Sequence, residues 1–177
     1  MRILGIDPGS RATGWAVVEI AGSRLTRVAS GALRPADGAL PGRLCEIFDG
    51  LAAAIERTAP DTAALESIFS ARGARSALLL GHARGVALLA CARAGLATAE
   101  YAPSQVKGAV VGYGAAPKDQ VARMVARLLG LPALPGGDEA DALAVAICHG
   151  HSARSLAATQ RALARESLRP IRPRVAP

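Results

Sequence analysis

The apolar positions fall first into runs of strand length and then into helical spacing. Arg2–Asp7 is a short apolar strand ending in an acid; Trp15–Ile20 and Leu25–Leu33 follow as strands, with a turn around Gly22 between them. The link Asp7-Pro-Gly-Ser-Arg-Ala-Thr-Gly is dense in turn formers. Links this short predict an antiparallel meander. From Leu40 to Thr58 the period changes, with Leu44, Ile47, Phe48, Leu51 and Ile55 on one helical face. Thr62–Glu66 is a strand that again ends in an acid. Arg75–Ala94 is a helix, Ala97–Tyr101 a strand, Pro103–Val110 a short helix and Pro117–Leu129 an amphipathic one. After a loop with two prolines and two glycines, Asp138 opens a last helix to about Gly150.

A meander followed by alternating helices and strands implies an α/β fold, a mixed five-stranded sheet flanked by helices. There is no internal repeat. Residues 1–151 make one domain, and 152–177, with few apolar residues and three late prolines, are expected to be a basic tail of frayed helix followed by disorder.

Composition adjusts this picture in three places. Aromatics are only 3 % of the 177 residues, so Ala, Leu, Val and Ile must build the core. Cys45, Cys91 and Cys148 are scattered, without a C-x-x-C pair, which argues against a disulfide framework or zinc site and for a reducing, cytoplasmic setting. The apolar stretch Ala77–Ala99 contains His82, Arg84 and Arg93, so it reads as a buried helix and not a membrane span.

The net charge of +7 suggests a polyanionic partner. Its distribution weakens the inference, because 152–177 carry +5 and the remaining chain about +2. Charge alone therefore does not establish nucleic-acid binding. Nearly every cation is Arg, Lys107 and Lys118 being the only lysines. That is either codon bias or a need for a compact ammonium at two sites.

Candidate chemistry lies in the acids. Sites in open α/β sheets lie beyond the carboxyl ends of the strands, where Asp7 and Glu66 fall. Asp138 and Asp141, spaced i, i+3 at a helix start, face one way. Each has a plain structural alternative: Asp138 as helix cap, Asp7 as turn cap, Glu66 as an exposed strand end. Asp141 resists one, since it lies among Ala140, Leu143 and Ala144, and an unpaired buried acid is costly. Four acids meeting at one edge would repel unless cations neutralise them, and all-carboxylate ligands suit Mg²⁺ or Mn²⁺. His149 and His151 lie three turns from Asp138 and are assigned structural roles.

Leu4-Gly-Ile-Asp-Pro-Gly, Leu65-Glu66, Gln105-Val-Lys-Gly-Ala-Val-Val-Gly and Asp138-Glu-Ala-Asp-Ala-Leu-Ala-Val-Ala-Ile resemble, in order and spacing, the RuvC family of Holliday junction resolvases. The resemblance runs from residue 1 to about 151. It implies a ribonuclease H-like fold, a homodimer, and paired symmetric nicks across a four-way DNA junction with Mg²⁺, Mn²⁺ being able to substitute, in recombination and repair. By position, Asp7, Glu66, Asp138 and Asp141 match the family's catalytic, metal-holding acids. Some members carry His in place of Asp138. Lys107 and Lys118 match basic positions used on DNA, and Phe69 an aromatic that handles bases at the junction centre.

The reaction this implies is phosphodiester hydrolysis with two ions, one bridged by Asp7 and generating hydroxide, the other stabilising the leaving 3′-oxygen. The products carry 5′-phosphates. Arg72, Arg75, Arg84 and the two lysines are expected to neutralise phosphates. The dimer face is assigned to the Arg75–Ala94 helix through Ala77, Leu80, Gly81, Gly85 and Leu88. The RuvA–RuvB branch-migration complex is the further expected partner. The competing readings are a ribonuclease H-like nuclease acting on RNA, an actin-like ATPase whose second domain 177 residues cannot hold, and a non-catalytic junction-binding module.

Overall fold

The computed structural model describes residues 1–67 and 73–167, with backbone alone at 154 and 156–167. Its strands are β1 (Arg2–Asp7), β2 (Thr13–Ala21), β3 (Arg24–Leu33), β4 (Thr62–Glu66) and β5 (Thr98–Tyr101). Its helices are α1 (Leu40–Thr58), α2 (Ala74–Arg93), α3 (Pro103–Val111), α4 (Lys118–Leu129) and α5 (Gly137–Ser167). The sheet order is β3-β2-β1-β4-β5. The meander is antiparallel, and β4 and β5 join it in parallel.

Alternation along the strands divides the core in two. Leu4, Ile6, Ala63 and Leu65 pack with Ile47, Leu51 and Ala87 on the α1–α2 face. Ile3, Ala16, Val18 and Ala64 pack with Val106, Val125, Leu143 and Ile147 on the opposite face, under α3, α4 and α5. A one-residue slip of β1 would exchange Leu4 and Ile6, both fully buried, for Gly5 and Asp7. The slip would also press Leu4 and Ile6 against the α5 backbone, which a Cβ at Gly5 would already meet at 2.2 Å, and these two demands fix the register.

Two glycines set the depth of α5. A Cβ on Gly5 would meet the Ala142 carbonyl oxygen at 2.2 Å, and one on Gly14 the Asp138 carbonyl oxygen at 1.9 Å. The helix backbone therefore lies directly on β1 and β2, and no flexible side chain separates them. The alanines at 140, 142, 144 and 146, all buried, complete the close packing.

Four expectations change. Helix α5 runs on past Gly150 to Ser167, because 153–167 are rich in alanine and hold no proline or glycine to stop a helix. Helix α2 is buried only along Ala83, Ala87, Ala90 and Cys91; Leu78 and Leu89 are 65 % and 53 % exposed. Helical register turns Leu88 toward the α1–α2 core and Leu80 toward the Gly9–Ala12 turn, so the exposed apolar face is Leu78, Gly81, Gly85 and Leu89. Arg84 Nη2 is paired with Glu100, both carboxylate oxygens at 2.5 Å, so any phosphate contact would compete with that ion pair. All three cysteines are unpaired, and burial pushes the thiols of Cys91 and Cys148 up to about 11. No helix among the described residues is long and apolar enough to cross a membrane.

Candidate active site

Asp7 and Glu66 close adjacent parallel strands. The pairing Gly5 with Ala64 and Ile6 with Leu65, carried one step further, brings Asp7 beside Glu66. By alternation from Ile3 and Ala64, both acids face the α5 side of the sheet. Beyond Asp7 the chain turns sharply. The buried Thr13 hydroxyl donates to the Gly9 carbonyl at 2.7 Å and accepts from the Gly9 amide at 3.3 Å, which closes the turn over the end of β1.

Helix α5 supplies the other two acids from its first turns. Asp138 lies inside the helix, which begins at Gly137, and its Oδ2 accepts from Arg34 Nη2 at 2.7 Å. It is therefore not the N-cap that one sequence alternative suggested. Asp141, half-buried one turn later, accepts from Lys118 Nζ at 2.6 Å. Lys118 reaches it from the first residue of α4, whose buried Val121, Val125 and Ala126 fix the helix against the core.

Electrostatics tie the four acids together. Burial pushes the Asp7 carboxyl up to about 7, and the charges of Glu66, Asp141 and Asp138 push the same way, opposed by Lys118. Glu66 is also raised, by burial and by Asp141, with Lys118 and Lys107 opposing. The pairing with Asp141 holds Lys118 above its ordinary value, against desolvation. A small cavity of about 130 Å³ joins Glu66, Lys107, Lys118 and Asp141. On the Asp138 side, an open cleft of about 710 Å³ runs between the Gly9–Ala12 turn and the start of α2, with Arg11 and Arg75 on its walls. The acids thus stand between two basic hollows.

Among the described residues, no three His, Cys, Asp or Glu side chains close on a point tightly enough to cage an ion unaided. The donor set nevertheless fits a hard divalent cation. It is all carboxylate oxygen, and the charges of Glu66, Asp141 and Asp138 add to the burial that raises Asp7, with Lys118 opposing.

Of the residues singled out in the sequence, the structure gathers Asp7, Glu66, Asp138, Asp141, Lys107 and Lys118 at one edge and sets Arg75 in the adjoining cleft. Phe69 and Arg72 lie outside the described residues. His149 bonds the Tyr101 hydroxyl at 2.8 Å, and His151 contacts the Ala109 carbonyl oxygen at 3.1 Å, which agrees with structural roles for both. Sequence reasoning missed Arg34 and the attachment of Lys118 to an acid. Nothing in the spacing marks either, since both partners come from distant elements.

The family model described as "Crossover junction endodeoxyribonuclease RuvC" matches residues 3–149. Curated relatives carrying that description include one from Burkholderia thailandensis, 51 % identical over 88 % of this chain and 87 % of its own length. Another, from Pelobacter propionicus, is 55 % identical over 86 % and 87 %. Among solved structures, Thermus thermophilus RuvC in complex with a Holliday junction substrate superposes with a TM-score of 0.83 at 33 % identity, covering 88 % of this chain and 96 % of that one. The sheet order and flanking helices are thus those of a ribonuclease H-like protein, and the chain belongs to the RuvC family of crossover junction endodeoxyribonucleases.

Proposed function

We propose that this protein resolves four-way DNA (Holliday) junctions by paired symmetric nicks, using Asp7, Glu66, Asp138 and Asp141 as the catalytic centre. The observation that carries the assignment of residues is the presentation of four carboxylates from β1, β4 and α5 at one edge, with Asp7 pushed up to about 7 beside the others. The four acids would hold Mg²⁺, two ions per centre, with Mn²⁺ as a substitute. When bound, these ions supply a water nucleophile of lowered pKa and charge stabilisation at the leaving oxygen.

The protein's own groups bind and orient the substrate. Lys107 and Lys118, beside Glu66 and Asp141, attract the phosphates flanking the scissile one, and Arg75 does so from the cleft on the Asp138 side. Burial around Asp7 limits competing water, which strengthens every charge interaction there. Phe69 and Arg72, just past the end of β4 in sequence, are assigned to base stacking and phosphate contact.

Paired nicks require two centres. The exposed apolar face of α2, with Leu44 and Val86 beside it, lines a shallow groove of about 470 Å³ and suits a second copy of this chain across a two-fold axis. Residues 1–151 are taken as the nuclease domain. The basic segment from 152 onward is assigned to contact with DNA or the RuvA–RuvB branch-migration complex.

The test is a synthetic four-way junction incubated with Mg²⁺ beside linear duplex and an RNA–DNA hybrid. The expected result is symmetric cleavage of the junction with 5′-phosphate ends. Cleavage of the hybrid and not the junction would replace the proposal with the RNA-directed alternative.

A further inference from the structure

The pairing of β2 with β3 shifts register between Val17 and Val18. Val17 pairs with Ala29 and Val18 with Arg27, which leaves Val28 as an extra residue on β3. In an unbroken strand Arg27 and Ser30 would point to opposite faces. The bulge removes that alternation. Arg27 and Ser30 now stand opposite Val18 and Ala16, both in the core beneath α5. Val28 is left on the surface.

Both side chains meet one acid on α5. Ser30 Oγ donates to Glu139 Oε1 at 2.5 Å, and Arg27 Nη1 reaches the same oxygen at 3.3 Å. Beyond the bulge the ordinary period resumes, so Ala32 and Arg34 follow Ser30 on that face, and Arg34 takes Asp138. The first turn of α5 is therefore held at two consecutive residues, Glu139 by β3 and Asp138 by Arg34 just beyond it. From below, the Asp138 backbone rests on Gly14.

We propose that Arg27, Ser30 and Glu139 form a positioning clamp, delivered by the Val28 bulge, that fixes the first turn of α5 so that Asp138 and Asp141 meet Asp7 and Glu66 around the cation. None of the three touches the reacting atoms. The clamp acts through the helix backbone, and its geometry suits that task. Glu139 is mostly covered, and its partners come from a strand already locked into the sheet by nine pairings. Outer groups that orient metal-holding side chains typically change metal affinity by about 10-fold or more.

This inference rests on the reading of the four acids as a cation site, and its test separates the two. Cation affinity is measured on the full chain without DNA, by Mn²⁺ titration calorimetry, for the unaltered protein, Ser30→Ala, Glu139→Gln, Ser30→Thr and Asp7→Asn. Melting temperature and junction affinity in EDTA are recorded alongside. Ser30→Ala and Glu139→Gln are expected to weaken Mn²⁺ binding by about 10-fold, with melting temperature and junction affinity nearly unchanged. Ser30→Thr, which keeps the hydroxyl, should restore most of the loss. Unchanged Mn²⁺ affinity in the two clamp variants while Asp7→Asn loses it would overturn the clamp alone. Parallel loss of melting temperature and junction affinity would also overturn it, by showing a merely structural contact. Mn²⁺ binding that survives Asp7→Asn would overturn the underlying cation-site assignment.

Discussion

The ammonium of Lys118 lies 2.6 Å from Oδ2 of Asp141, joining the first residue of α4 to the second turn of α5. Lys118 is largely exposed, and a pair so placed adds little to stability. Its effect is on the acids, since it opposes the elevation of both Asp7 and Glu66. Replacing Lys118 by Met should let both carboxyls rise further. The acidic limb of the pH–rate profile for junction cleavage is expected to move to higher pH; an unmoved limb would contradict this role.

The raised carboxyl of Asp7 also links folding to pH. Its folded value is about 7 against an ordinary 3.8, so the folded state binds the proton more tightly. That contribution is fully present below about pH 4 and is lost as pH rises through about 7. Above that, ionised Asp7 strains the cation-free fold. Asp7→Asn should therefore raise the melting temperature in EDTA by several degrees at pH 8 and change it little at pH 4. Thermal melts at the two pH values check this. Equal effects at both would point to a cause other than titration.

Close packing at Gly14 is the most exacting local demand of the site. A methyl there would enter the Asp138 carbonyl oxygen, and only displacement of α5 relieves the overlap. Gly14→Ala is expected to cost about 1–3 kcal/mol in denaturant unfolding, the usual penalty of overpacking. Cleavage should fall further than that loss of folded protein explains, because Asp138 and Asp141 move with the helix. Activity retained in proportion to the folded fraction would show that the acids tolerate the shift.

Much of this was legible in the sequence, and the reasons are local. Thr62–Glu66 and Leu40–Thr58 stand where alternation and helical spacing predict them, because buried strands and amphipathic helices write their period into the chain. The acids were visible because two of them end strands and two share a helix face. Less legible was anything set by partners distant in sequence. Arg34 meets Asp138 across more than a hundred residues, and the Val28 bulge has no turn former to announce it. That the helix expected past 152 is continuous with α5 was not legible, because polar alanine-rich helix carries little apolar period, and neither was the pairing of Arg84 with Glu100 from another element.

The exposed face of α2 gives a prediction about assembly. Leu89 lies on it beside Gly85 and His82 and is 53 % exposed among the described residues. Leu89→Arg places a charge where a second copy is proposed to pack. Sedimentation should show the mass halve, with the melting profile otherwise retained. A dimer that persists would move the interface elsewhere.

Of the four carboxylates proposed as the cutting centre, Asp7 is the one that burial and its neighbours push up to about 7. The direct measurement compares the unaltered protein with Asp7→Asn on a four-way junction, scoring cleavage in Mg²⁺ and binding in EDTA. Cleavage is expected to be lost and binding largely kept. Cleavage that survives the substitution would contradict that assignment.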